Sequence, residues 1–436
     1  MTKKSTLNNL DNYITTEKPE ISNQKHKISS NKYFYRLGHC NDLAIAEYFS
    51  LASANLDLGD DKTKPEVAYD AQYLMSDQYM NANDFGSMIF VAEVVAEVDV
   101  QKTEIKEDFR LKFLTKLDEY LEQSEFKKVG FYMPTFDKKI LFPIGKKHCN
   151  RVDILDNLPN FGYWKKTKNW LVSIKFGNTI YLCKIVSYSD QEFWSEIDQG
   201  LPQADMSRGI INLKLARSML NLTICENIWD NFAGQGRVLV AGMDVKKTLF
   251  ASDLDPIVET QLYKNYEFAK HFWTTQEYNK QLVANTGELK VNFTLDATKI
   301  IPVDILLKGF KDQEIAIVTE GYLGTNFRKY PTKKEILEQV NKVNEIWKNV
   351  LLSNATNNTN GVEINEIVGC VPFYPKFQDE RKEGEVQDRN GYVPEYTFWF
   401  SNPDWKLVQL TPEVKTINYK RENSNVGHLI FKMVRA

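Results

Sequence analysis

One stretch, residues 228–256, constrains the fold of this chain more than any other. A short apolar approach at 228–229 is followed by the turn D-N-F-A-G-Q-G-R at 230–237, and an apolar helical run continues to Met243. A second strand at 248–251 ends in S-D-L-D-P at 252–256. Glycines let a backbone approach a ligand closely, and the helix N-terminus behind them offers unpaired N–H groups. An acid at the second strand end can hold a ribose hydroxyl pair, so the stretch predicts a pocket for a nucleoside-bearing cofactor.

The glycine pattern of this turn is short. It reads Gly-Gln-Gly, which is neither the G-x-G-x-x-G dinucleotide pattern nor a P-loop. Together with Asp253 at the next strand end, it favours nucleotide-type binding. The alternative is a structural βαβ unit whose crevice binds nothing.

Bulk composition excludes several classes of protein. A length of 436 residues predicts two or three domains, and a net charge of −3 excludes a uniformly basic chain. The five cysteines are scattered without a C-x-x-C pair, which argues against a disulfide framework and against a zinc site, and no metal site is predicted. No apolar run is long enough to span a membrane, and the start of the chain lacks the apolar core of a signal peptide. We therefore expect a cytoplasmic protein without membrane contacts.

The chain divides into three regions by composition and pattern. Residues 1–31 are rich in Lys, Ser, Thr and Asn, which predicts a disordered tail. Residues 32–189 mix strands and helices, with an undecided segment at 88–98, and form an α+β half. Residues 190–436 begin with a polar, irregular segment to 208. Strands and helices then alternate, which predicts a doubly wound α/β sheet.

Within the third region, residues 190–436, strands are expected at 290–295, 313–319, 364–371, 396–400 and 429–434. Expected helices cover 257–278 and 332–352, the latter with Thr332 as its N-cap. Ligands of such sheets bind beyond the carboxyl ends of the strands. Asp253, Asp296 and Glu320 follow three strand ends, so these acids are predicted to face one crevice.

A basic, aromatic stretch occupies residues 127–184 of the α+β half. It holds twelve lysines and arginines against three acids, a net +9, with aromatic residues interleaved among them. Such a stretch suits a nucleic-acid backbone with unpaired bases. The alternative, that the lysines lie on solvated faces while the aromatic side chains are core, stays equally open.

Several segments together resemble one family. Residues 230–237 resemble D-P-F-[CA]-G-[ST]-G-[TR], and residues 252–256 resemble G-S-D-I-D-P, both motifs of Rossmann-like, S-adenosylmethionine-dependent nucleic-acid methyltransferases. Residues 205–221 resemble the helix that precedes the cofactor motif in THUMP-type tRNA guanosine methyltransferases. Residues 33–38 and 419–430 are similar to that family's opening and closing motifs. The chain is therefore identified as a divergent member, in which Asn212-Leu213 replaces the Pro-Pro of that helix.

The resemblance implies a cofactor, S-adenosylmethionine, and the residues that hold it. Asp230 would contact the amino group directly or through water, and Asp253 would hold the ribose hydroxyls. The backbone of Ala233, Gly234 and Gly236 would contact the methionine part. Asp296 with Ala297 would meet the adenine. Two neighbours complete the expected cofactor-binding set: Phe232 and Leu254.

The resemblance also implies a catalytic loop. The family's D-P-P-Y is here Thr319-Glu320-Gly321-Tyr322, which can be aligned with either Thr319 or Glu320 at the acid position. The acid and an adjacent carbonyl would accept hydrogen bonds from the target amine, while the Tyr322 ring stacks on a flipped base. The methyl donor is already activated, so positioning would dominate the chemistry.

Three functions follow as hypotheses. The first is methyl transfer to a guanine exocyclic amine in tRNA, and the second is a same-fold methyltransferase acting on another RNA or DNA base. The third is a non-catalytic RNA-binding protein with a decayed motif. The implied partner is tRNA or another structured RNA, bound through residues 127–184 of a THUMP-like half. A small activating subunit is left open as a further partner.

Overall fold

The computed structural model of the chain describes residues 32–55, 67–100, 106–203, 211–243, 245, 247–275, 290–291, 295–299, 314–324, 327, 331–355, 363–374, 395–420 and 426–436. The expected tail at 1–31 lies outside these residues. So do 204–210, in the segment before the cofactor motif, and 292–294, within an expected strand.

The first half is built on a mixed sheet with the order β2-β3-β1-β4-β8-β7-β5-β6. Its strands are β1 (Tyr33–Leu37), β2 (Val67–Tyr69), β3 (Tyr73–Ser76), β4 (Met88–Asp99), β5 (Lys128–Tyr132), β6 (Arg151–Ile154), β7 (Trp170–Phe176) and β8 (Thr179–Tyr188). Strand β5 is parallel to both of its neighbours, and the other pairs are antiparallel. The helices described here are α1 (Asn41–Asn55), α2 (Lys106–Gln123), α3 (Lys138–His148) and α4 (Phe161–Thr167). Mixed pairing with separate helices is the predicted α+β arrangement.

The second half carries a sheet with the order β11-β10-β9-β12-β13-β16-β14, with β15 paired to β16. Its strands are β9 (Asn227–Asp230), β10 (Thr248–Ala251), β11 (Lys290–Val291), β12 (Glu314–Thr319), β13 (Glu363–Phe373), β14 (Trp405–Leu407), β15 (Thr416–Tyr419) and β16 (Gly427–Arg435). The described helices are α5 (Gln191–Gly200), α6 (Leu213–Asn221), α7 (Arg237–Ala241), α8 (Ile257–Thr275) and α9 (Lys333–Ala355). The five neighbouring strands β11, β10, β9, β12 and β13 are parallel, and β16 runs antiparallel to β13. The predicted doubly wound, Rossmann-like sheet is confirmed.

Both faces of this sheet are covered because its strands are apolar on both sides. Ile228 and Val318 pack on the face that carries α6 and α7, whereas Trp229 and Ile317 pack on the face that carries α9. Strands buried on both faces are typical of parallel sheets covered by helices. The strand order reverses between β9 and β12, so the crevice at their carboxyl ends is the expected ligand site.

Helix α9 begins where the sequence predicts. The backbone N–H of Thr332 donates to Glu335 Oε2 at 2.7 Å, and Thr332 Oγ1 accepts from the Glu335 N–H at 3.3 Å. This reciprocal pair is a capping box, which satisfies N–H groups at the helix start.

Three local expectations change in the structure. The undecided segment at 88–98 belongs to one twelve-residue strand, β4. The strand expected at 396–400 is wrong, because Phe398–Phe400 is a short 3-10 helix. The segment expected to be irregular from Asp190 contains helix α5, and Asp190 Oδ1 caps it by accepting from the Phe193 N–H at 2.9 Å. Polar residues dominate α5, but Trp194 and Ile197 bury one of its faces.

Candidate active site

The glycine turn after β9 is shaped by two residues in left-handed backbone conformation. Gly234 has φ +49° and Gly236 has φ +79°. A Cβ on Gly236 would lie 2.7 Å from Leu262 Cγ on helix α8. Only glycine therefore combines this conformation with this close approach, and the chain enters α7 directly afterwards at Arg237.

The carboxylate of Asp253 bridges the end of β10 to this turn. Its Oδ2 accepts from the Gly234 N–H at 2.8 Å, and its Oδ1 accepts from the Asp255 N–H at 2.9 Å. Asp255 in turn accepts from the Ile257 N–H at 3.0 Å and so caps helix α8. Asp253 thus holds the turn beside the second strand end, while Asp255 takes the capping role.

Asp230, the last residue of β9, is only 2% exposed. Its Oδ1 accepts from the Phe232 N–H at 3.3 Å, and the Thr319 hydroxyl hydrogen-bonds to the same carboxyl group. Burial raises the pKa of Asp230 to about 7, and the neighbouring carboxylates of Asp253 and Glu320 add to the rise. A cation placed next to Asp230 would stabilise its ionised form, which burial alone disfavours.

In the predicted catalytic loop, residues 319–322, the first residue is buried behind the loop and the other three line the cavity. Thr319 is fully buried, and its Oγ1 accepts from the Gly321 N–H at 3.2 Å. Gly321 has φ +68°, and a Cβ there would lie 2.7 Å from Trp347 Cζ2. Thr319 therefore supports the loop from behind and holds Asp230, whereas Glu320, Gly321 and Tyr322 line the cavity.

Glu320 is paired with a histidine to which the sequence analysis assigns no role. Glu320 Oε1 lies 2.7 Å from His428 Nε2, and both side chains are largely buried, at 18% and 15% exposure. His428 lies in β16, separated by 108 residues from Glu320. No ligand spacing in the sequence could have indicated this pair, because it depends on the neighbouring positions of β12, β13 and β16.

Tyr322 lines the same cavity with a partly buried ring. The Lys342 Nζ of helix α9 lies 4.8 Å from the ring centroid, within the range of a cation–π contact. The lysine thus covers the tyrosine ring from the side of α9.

The predicted adenine-binding residues lie beside the cavity. The Leu295 N–H donates to the Asp253 carbonyl at 3.2 Å, which holds the segment containing Asp296 and Ala297 against the end of β10. Asp296 accepts from the Thr298 hydroxyl at 2.6 Å and pairs with Lys299 Nζ at 3.2 Å. The Thr298 hydrogen bonds, together with Lys299, lower the pKa of Asp296. Leu254, which follows Asp253 in the chain, is 61% exposed.

The glycine turn, the strand-end acids Asp230 and Asp253, and the loop at 320–322 enclose a cavity of about 330 Å³. Leu254, Asp296 and Ala297 are not among its described lining residues. Its described lining comprises Ile211, Asp230, Phe232, Ala233, Gly234, Gln235, Arg237, Val238, Asp253, Val258, Glu320, Gly321 and Tyr322. Three of these are carboxylic acids. Arg237 is the single arginine or lysine among them, and it forms an ion pair with Asp198 and donates to the Ile211 carbonyl at 3.1 Å. The cavity is therefore acidic, without a free basic side chain among its described walls.

A supporting residue that the sequence analysis missed is Asn265 of α8, which is fully buried. Its Nδ2 donates to the Gln235 carbonyl at 3.0 Å and to the Gln203 carbonyl at 2.9 Å, while its Oδ1 accepts from the Gln203 N–H at 2.9 Å. Asn265 thereby ties the glycine turn to the segment after α5. A polar residue on a helix otherwise packed by Leu262 and Ala269 is the only local signal for it.

In the basic stretch at 127–184, most aromatic side chains are core. Phe131 and Trp170 are fully buried, which fits the alternative that the aromatic side chains of these strands point inward. Phe142 of α3 and Tyr163 of α4 differ, at 46% and 47% exposure, and lysines flank both on their helices.

No protein-family model and no curated protein sequence matches this chain. Among solved structures, it is similar to TrmN from Thermus thermophilus, at 10% identity over 93% of this chain and 100% of that one, with a TM-score of 0.45. It is also similar to magnesium protoporphyrin IX methyltransferase from Synechocystis with bound SAH, at 10% identity over 56% of this chain and 94% of that one, with a TM-score of 0.31.

None of the helices in the described part of the chain is both long enough and apolar enough to cross a membrane.

Proposed function

We propose that this chain is an S-adenosylmethionine-dependent methyltransferase that modifies a guanine exocyclic amine in tRNA. The observation that carries the proposal is the convergence of Asp230, Asp253 and Glu320 on one cavity beside a glycine turn. The volume of about 330 Å³ falls within the range of small-molecule sites.

The charge of the cavity selects the class of cofactor. A phosphorylated cofactor, such as a dinucleotide or ATP, would bring negative charge against three acids, with Arg237 already paired to Asp198. S-adenosylmethionine instead carries a sulfonium and an ammonium group. Its ammonium group provides a positive charge beside Asp230. This charge favours the ionised carboxylate, which burial otherwise disfavours.

The remaining cofactor contacts follow from acceptors that are still free. A carboxylate has about four lone-pair directions, and the Asp253 carboxylate uses two of them on the Gly234 and Asp255 N–H groups. The others suit a ribose hydroxyl pair. The backbone of Ala233, Gly234 and Gly236, with Phe232, borders the methionine part. Leu254, Asp296 and Ala297 border the adenine.

The acceptor side of the cavity is formed by Glu320, Gly321 and Tyr322. The bound cofactor supplies an activated methyl group, so these residues need to orient the acceptor rather than activate the donor. Glu320 accepts a hydrogen bond from the target amine and aims its lone pair, and Tyr322 stacks on the flipped base. Thr319 holds this loop through Gly321 and braces Asp230.

The α+β half is proposed to bind the RNA, as a THUMP-like region. The exposed rings of Phe142 and Tyr163 stand beside lysines of α3 and α4, which suits stacking with phosphate contacts. The net charge of +9 over residues 127–184 also supports RNA binding by this half of the chain.

Calorimetric titration with S-adenosylmethionine tests the cofactor, with ATP and NAD as controls. We expect binding of the first alone. Below about pH 7 binding should release protons, because the ammonium favours ionised Asp230. Titrations in buffers of different ionisation enthalpy measure this release, and Asp230→Asn should remove it. An absence of S-adenosylmethionine binding would leave the non-catalytic RNA-binding hypothesis.

Transfer of a labelled methyl group then identifies the acceptor. We expect label in tRNA and on the guanine exocyclic amine after nucleoside analysis, with none in DNA of matched length. Glu320→Gln should lower transfer strongly, to a residual rate that can still be measured, while leaving cofactor affinity nearly unchanged. Label on a different base, or in DNA, would favour the same-fold enzyme with another substrate.

A further inference from the structure

His428 and Glu320 form a pair at the acceptor side of the cavity. The two atoms, Nε2 and Oε1, lie 2.7 Å apart, a short distance for a hydrogen bond between imidazole and carboxylate. Within the described part of the chain, His428 is the one hydrogen-bond partner of the Glu320 side chain. Glu320 follows β12 and His428 lies in β16, so the contact spans the end of β13 between them.

The histidine is itself held in place from β15. Tyr419 is the cross-strand partner of His428, and their rings pack edge to face with centroids 6.2 Å apart. The Tyr419 hydroxyl accepts from Asn212 Nδ2 at 2.9 Å, and Asn212 caps helix α6. The His428 ring therefore packs against a tyrosine that is anchored to the helix preceding the cofactor turn.

A glutamate at an acceptor site needs such an anchor. Its side chain has three rotatable bonds, and each one left free costs rotamer entropy when the carboxylate is fixed. A hydrogen bond to Oε1 restrains the carboxylate and leaves the lone pairs of Oε2 to accept from another donor.

We propose that His428 is a positioning residue, which orients the Glu320 carboxylate toward the target amine. The inference rests on the proposed methyl transfer, and it adds a residue to which no motif assigns a role. His428 acts through Glu320 and has no contact of its own with substrate.

The test compares His428→Ala with His428→Gln, whose amide keeps an N–H donor. We expect His428→Ala to lower kcat by about 10- to 100-fold, the value of a hydrogen bond to a charged group. Cofactor affinity should change less than about twofold, because the cofactor-binding residues are untouched. His428→Gln should recover most of kcat. His271, exposed on helix α8, is the matched control, and His271→Ala should leave kcat unchanged.

A double-mutant cycle separates positioning from general support of the fold. In the Glu320→Gln background, His428→Ala should have no further effect, because there is no carboxylate left to orient. Additive losses, or equal losses for His428→Ala and His428→Gln, would overturn the inference. An unchanged kcat in His428→Ala would also overturn the inference, but it would leave the proposed function intact. Absence of transfer by the unmodified chain would overturn the proposed function, and the inference with it.

Discussion

Glu47 of helix α1 accepts a hydrogen bond from the side-chain amide of Asn221 in helix α6, with 2.8 Å between Oε1 and Nδ2. Both residues are buried, and 174 positions separate them in the chain. The same carboxylate accepts the backbone N–H groups of Gly86 at 2.9 Å and Ser87 at 3.0 Å. One acid from the α+β half is thus bonded to the helix that leads into β9 and the cofactor turn.

Replacing Glu47 with alanine should destabilise the whole chain. The substitution leaves two backbone N–H groups and the Asn221 amide without this partner in a buried site, and unmet donors of this kind cost about 1–3 kcal/mol each. We expect a loss of about 3 kcal/mol or more in the free energy of unfolding, measured by urea denaturation. Glu119, half-exposed and paired with Lys116, is the control, and Glu119→Ala should change stability by less than about 0.5 kcal/mol. Equal effects of the two substitutions would contradict this.

Substitution of Gly236 should damage the cofactor site more than its backbone conformation alone explains. Gly177 and Gly236 both have positive φ, at +59° and +79°. An added Cβ at Gly177 meets nothing within 4 Å, whereas at Gly236 it meets Leu262 at 2.7 Å. Gly177→Ala should therefore cost about 1 kcal/mol, and Gly236→Ala distinctly more, with loss of cofactor binding. Thermal unfolding measures the stability of the two variants, and calorimetry measures their cofactor affinity. Cofactor binding by Gly236→Ala at normal affinity would argue against the proposed role of this turn.

Replacement of Asp230 by asparagine should stabilise the cofactor-free protein in a pH-dependent way. Burial raises the pKa of Asp230 from 3.8 to about 7. A raised carboxyl pKa favours folding below the unfolded value, and this advantage is lost as pH rises through the folded value. Asparagine does not ionise, so Asp230→Asn should match the unmodified chain near pH 4. Above about pH 7 it should be more stable, by an upper limit of about 4 kcal/mol.

Chemical denaturation at several pH values measures this difference. The same variant should bind S-adenosylmethionine more weakly, because it lacks the charge that pairs with the ammonium group. A stability difference that is independent of pH would contradict the raised pKa.

Removal of the exposed Tyr163 ring should weaken RNA binding. Stacking of a base on an aromatic side chain contributes about 1–3 kcal/mol, so Tyr163→Ala should lower tRNA affinity by about tenfold. Phe400, 87% exposed in the second half, is a matched aromatic control. Fluorescence anisotropy with tRNA at fixed salt measures both variants. The tyrosine substitution should leave cofactor affinity unchanged, and equal RNA affinities for the two variants would locate the interface elsewhere.

Several features could be predicted because they are local in the chain. The strand at 248–251 and the cap at Thr332 depend on neighbours within a few residues. The alternation of strands and helices after residue 210 was sufficient to predict the doubly wound sheet, because parallel strands with helices on both faces require that order. Asp253 was predictable for the same reason, because carboxyl ends of parallel strands meet at one edge.

Tertiary structure alone decided which distant residues became partners. Glu320 meets His428, and Asn265 reaches the Gln235 carbonyl, because strand order and helix packing bring them together. It also decided that Trp170 points into the core while Tyr163 faces solvent, although both are aromatic residues of one basic stretch. The sequence by itself determined the glycine turn, the acids at the strand ends and the sheet that carries them. Periodicity reports which residues are buried and leaves open what they touch, so the pairing of the acceptor-side carboxylate had to come from the fold.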